Sequence, residues 1–157
     1  MQHVSVYAIG LGSNIEPRLD YLRNALHQLS KFGAILAQSS WHETKPEGFE
    51  SPDLFLNGVA LLETHLSPDE LWVEMARIEL DLGRVRTSLG PRSRTLDLDL
   101  ILWSKGFWAS DDVILPHPRM HLREFVLAPL AEIASEWVHP ELHRSVGELL
   151  KSQGHEV

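Results

Sequence analysis

The chain has 157 residues, 43% of them hydrophobic and 23% charged, the composition of an ordinary soluble globular protein of one domain spanning residues 1–157. It contains no cysteine, which excludes disulfides, thiolate catalysis and cysteine-based zinc sites, and no apolar run approaches the ~20 residues of a membrane helix. The formal net charge of -8 argues against a general nucleic-acid binder, and the N-terminus has no signal-peptide pattern, so a cytoplasmic protein without nucleic-acid or membrane partners is expected.

In chain order, Val4 to Leu11 reads as a strand, closed by a glycine-rich turn over Gly10–Leu11–Gly12–Ser13–Asn14. A helix follows from about Pro17 to Phe32, with Leu19, Leu22, Leu26 and Leu29 three or four apart. Ala34 to Thr44 alternates as a second strand, Lys45 to Asp53 is a proline-containing loop, and Leu54 to Leu66 is a third strand. Ser67, Pro68 and Glu70 form a capping-box start to a second helix reaching about Leu82, with Leu71, Met75, Ile78 and Leu82 on its buried stripe and Gly83 as its stop. A loop from Arg84 to Arg94 leads into a fourth strand, Thr95 to Trp103. The order βαββαβ predicts an α+β, ferredoxin-like antiparallel sheet with helices on one face. The C-terminal third adds a hairpin near Phe107–Leu115 and helices near Phe125–Ile133 and Ser145–Lys151.

Two features of this pattern carry chemistry. On the fourth strand Leu96, Leu98, Leu100 and Leu102 share one face, and Asp97, Asp99 and Ile101 the other. Aspartate is a poor strand former, and same-face neighbours lie about 6.6–7 Å apart at Cα, so the strand is either a solvated polar face or a platform for Mg²⁺. Five of the 14 Lys and Arg residues (Arg77, Arg84, Arg86, Arg92, Arg94) fall just before or beside it. Guanidinium forks bind phosphate oxygens bidentately, and metal with arginine makes a phosphate site.

Other readings remain open at this level. Gly10-x-Gly12 after a strand starts a dinucleotide-binding fingerprint, but the third glycine would fall at Ile15 and no repeated βαβ unit follows. "HPRMH" (His117–His121) and "HPELH" (His139–His143) have helical zinc spacing, yet a proline follows the first histidine and HExxH is absent. A histidine donating to phosphate suits His117 better. A ferredoxin-like module that binds an anion without turnover is the alternative to an enzyme.

With "GLGSN", "ETKPEGF", "FLNGVA", "RIELDLGRVR", "RTLDLDLIL" and "LPHPRMHLREFVLAPL" in this order, the chain resembles the 6-hydroxymethyl-7,8-dihydropterin pyrophosphokinase family nearly end to end. The resemblance implies an ATP-dependent diphosphotransferase of folate biosynthesis, with ATP as co-substrate and two Mg²⁺ ions, acting as a monomer on the pterin alcohol. It implies that Asp97 and Asp99 are the metal ligands, with Glu79 supporting that site. Arg84, Arg94 and Arg86 would engage the triphosphate, the first two stabilising transition-state charge, and His117 and Arg123 would lie near the nucleotide phosphates. Phe55 and Phe125 would sandwich the pterin, with Asn57 on its edge and Thr44, the Pro46 backbone and Arg123 contributing to the substrate site. The chain departs from the family's pattern at "LGPRSRTLDLD", which lacks the usual tryptophan of the arginine loop, and at Pro118, where some members carry tyrosine. The loop is expected to close over bound substrates.

Overall fold

The computed structural model describes residues 3–45, 54–83 and 96–153. Strand β1 (Ser5–Ser13) is followed by helix α1 (Arg18–Leu29), extended by a 3-10 turn over Ser30–Phe32. Next come β2 (Ala34–Gln38), β3 (His42–Thr44) and β4 (Phe55–Thr64), then helix α2 (Pro68–Gly83) and β5 (Asp97–Trp103). A short hairpin of β6 (Trp108–Ala109) and β7 (Ile114–Leu115) precedes α3 (Glu124–Ala134) and α4 (Val146–Gln153). The main sheet runs β2-β4-β1-β5 with β3 also on β4, and every pairing is antiparallel. This is the expected ferredoxin-like α+β order.

The layering follows from alternation. Tyr7, Ile9 and Leu11 of β1 point to one face, where Leu22, Ala25 and Leu29 of α1 and Leu71, Met75 and Ile78 of α2 cover them. Ala8 and Val59 point to the other face, against Leu127 and Leu130 of α3 and Val146 and Leu149 of α4. The sheet is therefore covered on both faces: the expectation of one helical face holds for α1 and α2, and the C-terminal helices close the second. α2 starts as its sequence predicts, with Ser67 N–H donating to Glu70 Oε1 at 2.8 Å and Glu70 N–H to Ser67 Oγ at 3.3 Å.

Three sequence expectations need correction. Ala34–Thr44 is two strands, because at Ser39, whose N–H still donates to Val59 O at 2.9 Å, the side-chain Oγ accepts the Val59 N–H at 2.9 Å, and because Trp41 lies over Gly58. A Cβ on Gly58 would meet that indole at 2.6 Å. Gly10 and Gly12 belong to β1 itself, paired with Asp99 and Asp97 of β5, and form no turn. Leu102 leaves the face of Leu96, Leu98 and Leu100, because the β1–β5 register slips between Ala8 and Ile9. That bulge sends Ile101 and Leu102 both to the α3 side.

Candidate active site

The site lies on the α3 side of the sheet, over the ends of β1, β4 and β5. Its lining includes Gly10 and Gly12 of β1, Asn57 of β4, Asp97, Asp99 and Ile101 of β5, His117, and Arg123 and Phe125 at the start of α3. Register explains the assembly. Gly12 pairs with Asn57 on one side and with Asp97 on the other, and Gly10 with Val59 and Asp99. Directly opposed residues of an antiparallel pair project to the same face, so an amide and a carboxylate face the cleft with side-chain-free positions between them. A Cβ on Gly12 would fall 2.7 Å from Asn57 Oδ1. Gly12 thus leaves a floor without a side chain of its own between a hydrogen-bonding wall and an acidic wall, while Ile101 Cδ1 lies 3.1 Å from the Cβ position of Gly10. The sequence signal was available: glycines two apart in a strand share a face and mark close approach of a ligand.

On the first wall, Asn57 Nδ2 donates to Thr44 Oγ1, which holds the amide plane. Thr44 pairs with Phe55, whose ring lies 3.7 Å from the Cβ position of Gly12, so Phe55 borders the same floor. On the acidic wall, Asp97 is half-buried and Asp99 exposed. Glu79 reaches β5 from α2, its Oε2 accepting the Leu98 N–H at 2.8 Å. Because β5 is the edge of the sheet, this bond satisfies a free-edge donor between the two aspartates and holds the strand on which both stand.

His117 follows β7. Its backbone N–H donates to Ile101 O at 2.9 Å, and its Nδ1 accepts the Arg119 N–H at 3.1 Å. With Nδ1 as acceptor, a neutral ring carries its proton on Nε2. Arg123 precedes α3, with its guanidinium carbon 5.6 Å from the centre of the Phe125 ring, a cation–π distance. Cation, aromatic face and carboxylates therefore share one cleft.

The cleft brings together Asn57, Asp97, Asp99, His117, Arg123 and Phe125, with Thr44 and Phe55 bordering it and Glu79 behind β5. Pro46, Arg84, Arg86 and Arg94, and the arginine loop as a whole, lie outside the described residues. The histidine pairs do not act as zinc helices: His139 is buried, its Nδ1 accepts the Glu141 and Leu142 N–H groups at 3.2 and 3.1 Å, and His143 has a positive φ of 58°. Burial, then the neighbouring His121, pushes the His139 pKa down. Among the described residues no group of three or more His, Asp or Glu could hold a metal ion. Two carboxylates on one strand face suit Mg²⁺, a hard ion whose remaining positions go to water or phosphate oxygen.

Comparison with known proteins decides the family. Residues 8–135 match the model of the 7,8-dihydro-6-hydroxymethylpterin-pyrophosphokinase family. The chain belongs to that family. It is a transferase of folate biosynthesis that passes pyrophosphate to hydroxymethyldihydropterin. Among its relatives, the 2-amino-4-hydroxy-6-hydroxymethyldihydropteridine pyrophosphokinase of Synechocystis is 40% identical over 146 residues, covering 91% of this chain and 73% of that protein. The pyrophosphokinase of the same name from Bacillus subtilis is 44% identical over 131 residues, covering 82% and 77%. A solved structure of Plasmodium falciparum HPPK-DHPS superposes over 97% of this chain and 45% of that longer one, with a TM-score of 0.80 and 14% identity. The chain thus spans less than half of that protein, and the likeness shows the fold of this pterin pyrophosphokinase.

Proposed function

We propose that ATP is the pyrophosphate donor, that two Mg²⁺ ions bind at Asp97 and Asp99, and that the pterin lies over the floor formed by Gly10 and Gly12. The single observation behind this reading is the row Asn57–Gly12–Asp97, which sets an amide and a carboxylate at opposite sides of a glycine. Asn57 offers a donor and an acceptor to the aminopyrimidinone edge of the pterin, with its amide oriented by Thr44, and the Pro46 backbone contributes as the family resemblance implies. Phe125 and Phe55 take the faces of the ring system, where offset contact is favoured. This orientation points the hydroxymethyl group towards Asp97 and Asp99.

Mg²⁺ at these carboxylates supplies charge neutralisation on the phosphate chain. The hydroxymethyl oxygen forms a bond to the β-phosphorus as the bond from that phosphorus to the oxygen bridging to the α-phosphate breaks; AMP departs with the bridging oxygen, and the hydroxyl proton goes to solvent. Glu79 acts by holding β5, so that both carboxylates face one way. His117, through Nε2–H, and Arg123 donate to nucleotide phosphates; Arg84, Arg86 and Arg94 complete that charge complement, with Arg84 and Arg94 on the transferring group. Such transfer depends on positioning and electrostatics more than on covalent chemistry from the protein.

The reading takes the chain as one domain acting as a cytoplasmic monomer on small molecules, with neither nucleic acid nor membrane as partner. Among the described residues no helix is long and apolar enough to cross a membrane. The test is AMP release from ATP with pterin and Mg²⁺ each omitted in turn. AMP formation that needs all three components supports the reading. ATP turnover indifferent to pterin would overturn it in favour of a nucleotide-binding module.

A further inference from the structure

Outside the cleft, one polar cluster joins two elements that the site depends on. Glu132, near the end of α3, accepts the Ser40 N–H on Oε1 at 2.8 Å. The Ser40 hydroxyl lies 2.9 and 2.8 Å from its two carboxylate oxygens, and Oε2 also pairs with His42 Nε2. Ser40 and His42 are themselves in contact, Oγ to Nε2, at 3.3 Å. The shared ring nitrogen rules out a hydrolytic relay, in which serine and carboxylate occupy opposite ring nitrogens.

The placement of this cluster gives it a role. Glu132 is seven residues beyond Phe125 on α3, and at 3.6 residues per turn such residues lie within about 20° of each other around the helix. The helix face that carries Phe125 at the cleft is therefore the face that Glu132 fastens two turns later. At the other end of the contact, His42 of β3 pairs directly with Asn57 of β4, and Thr44, two residues on, holds the Asn57 amide. β3 is three residues long; among the described residues its sheet partner is β4, and Arg18 also reaches it by donating to Glu43 Oε2 at 3.0 Å, which leaves the contact with α3 to Ser40 and His42. In the proposed site the ring fits between Phe125 of α3 and Phe55 of β4, and β3 backs the Asn57 end of that space.

We infer that Glu132 is a positioning residue for the pterin half of the cleft, fixing through Ser40 and His42 the separation between Phe125 and Asn57. The inference rests on the proposed pterin site. Glu132 touches no substrate there; its effect passes through two elements. The Ser40 backbone bond holds its carboxyl below the usual range despite partial desolvation, so the anion that makes these contacts is the resident form. The apolar residues Leu127 and Leu130 keep α3 on the sheet independently, which separates the width of the cleft from the docking of the helix.

The experiment titrates 6-hydroxymethylpterin, and separately a non-hydrolysable ATP analogue with Mg²⁺, into wild type, Glu132→Ala, Glu132→Gln and Ser40→Ala. Glu132→Ala is expected to weaken pterin binding about tenfold, the equivalent of one ordinary hydrogen bond to a charged group. Nucleotide affinity and melting temperature should stay near wild type. Glu132→Gln keeps an acceptor for the Ser40 N–H and should recover much of the loss, and Ser40→Ala should weaken pterin alone, to a lesser degree. Should Glu132→Ala fail to fold, the Gln and Ser40 variants carry the same test. Equal losses for both ligands, or unchanged pterin affinity, would overturn the inference. No pterin binding by wild type would overturn the proposed site itself, so the first titration tells the two failures apart.

Discussion

Asn57 and Asp97 occupy one transverse row of the sheet, each paired with Gly12 on the strand between them. Two strand spacings separate them, about 9.5 Å, a span that a bicyclic ring with its hydroxymethyl arm can bridge. The proposed pterin site uses the missing side chain at Gly12, since any side chain there would stand between the two walls.

Gly12→Ala tests this. The added Cβ would lie 2.7 Å from Asn57 Oδ1, so the amide must turn, and its amino group is already committed to Thr44. The expected result is a pterin KM raised about tenfold or more, from loss of an oriented hydrogen-bond pair. Because the clash is with the end of a side chain, the melting temperature should change little. An unchanged pterin KM would mean that Asn57 is not the edge reader.

Asp97→Ala and Asp99→Ala should each lower turnover by about 10³ or more while the protein stays folded, since metal clamps contribute several kcal/mol to transition-state stabilisation. Asp97 is half-buried and Asp99 exposed, so neither truncation opens the core. Isothermal titration with Mg²⁺ and nucleotide is the direct check. Wild-type turnover at limiting Mg²⁺ in either variant would remove the metal assignment.

The parts of the fold that were legible in the sequence are those where local chemistry and tertiary demand agree. The α2 start is one: Ser67 and Glu70 cap each other with the predicted reciprocal bonds. The aspartate face of β5 is another, because alternation survives as far as Leu100. It fails at Leu102, since a bulge is a property of the β1–β5 pairing and leaves no mark in either strand alone. Gly10 and Gly12 read as a turn because glycine's turn preference is local, whereas both stand in β1 where neighbours crowd the Cβ position: Asn57 Oδ1 at Gly12, in the row between Asn57 and Asp97, and Ile101 Cδ1 at Gly10. The contacts of Glu132 were invisible for a similar cause: its partners Ser40 and His42 lie 92 and 90 positions away. Phe55 and Phe125 looked like core residues by pattern, and the family resemblance supplied their role.

Ser67→Ala should cost about 1 kcal/mol of stability, the usual loss for an N-cap hydroxyl. It removes the acceptor of the Glu70 N–H, while the residue-67 backbone N–H, whose bond holds the Glu70 pKa down, stays to donate to Glu70 Oε1. Chemical denaturation should show a lower midpoint with an unchanged slope. A midpoint equal to wild type would mean that the packing of Leu71 and Met75 alone fixes the start of α2.

Alkaline pH should act through Tyr7. This ring is fully buried, stacked beside Trp103 with centroids 6.1 Å apart, and its hydroxyl donates to Leu66 O at 2.7 Å. Burial pushes its pKa up to about 12 from 10.0. A raised acid pKa means that above pH 10 the unfolded chain binds fewer protons than the native one, so the stability contribution, complete below pH 10, is lost as pH rises towards 12. Denaturant midpoints should therefore fall over that window. Tyr7→Phe, although weaker at neutral pH for want of the bond to Leu66, should flatten the fall. A variant with the same alkaline slope as wild type would assign the effect to other groups.

Phe125→Ala should weaken pterin binding by about 1–3 kcal/mol, the range for removing a base–aromatic stack. The Arg123 guanidinium complicates the reading, since it lies 5.6 Å from the same ring and loses a cation–π partner when the ring goes. An effect passed through Arg123 would appear in nucleotide binding, whereas a stacking effect would appear in pterin binding. Phe125→Leu separates the two further, because it keeps apolar volume in a cleft that Val126 and Met120 also line while removing the aromatic face. With stacking in control, Leu should resemble Ala for pterin, and nucleotide affinity should fall less than pterin affinity in both. Recovery of pterin affinity in Phe125→Leu would make Phe125 a packing residue of the cleft wall and leave recognition of the ring to Asn57 and Phe55.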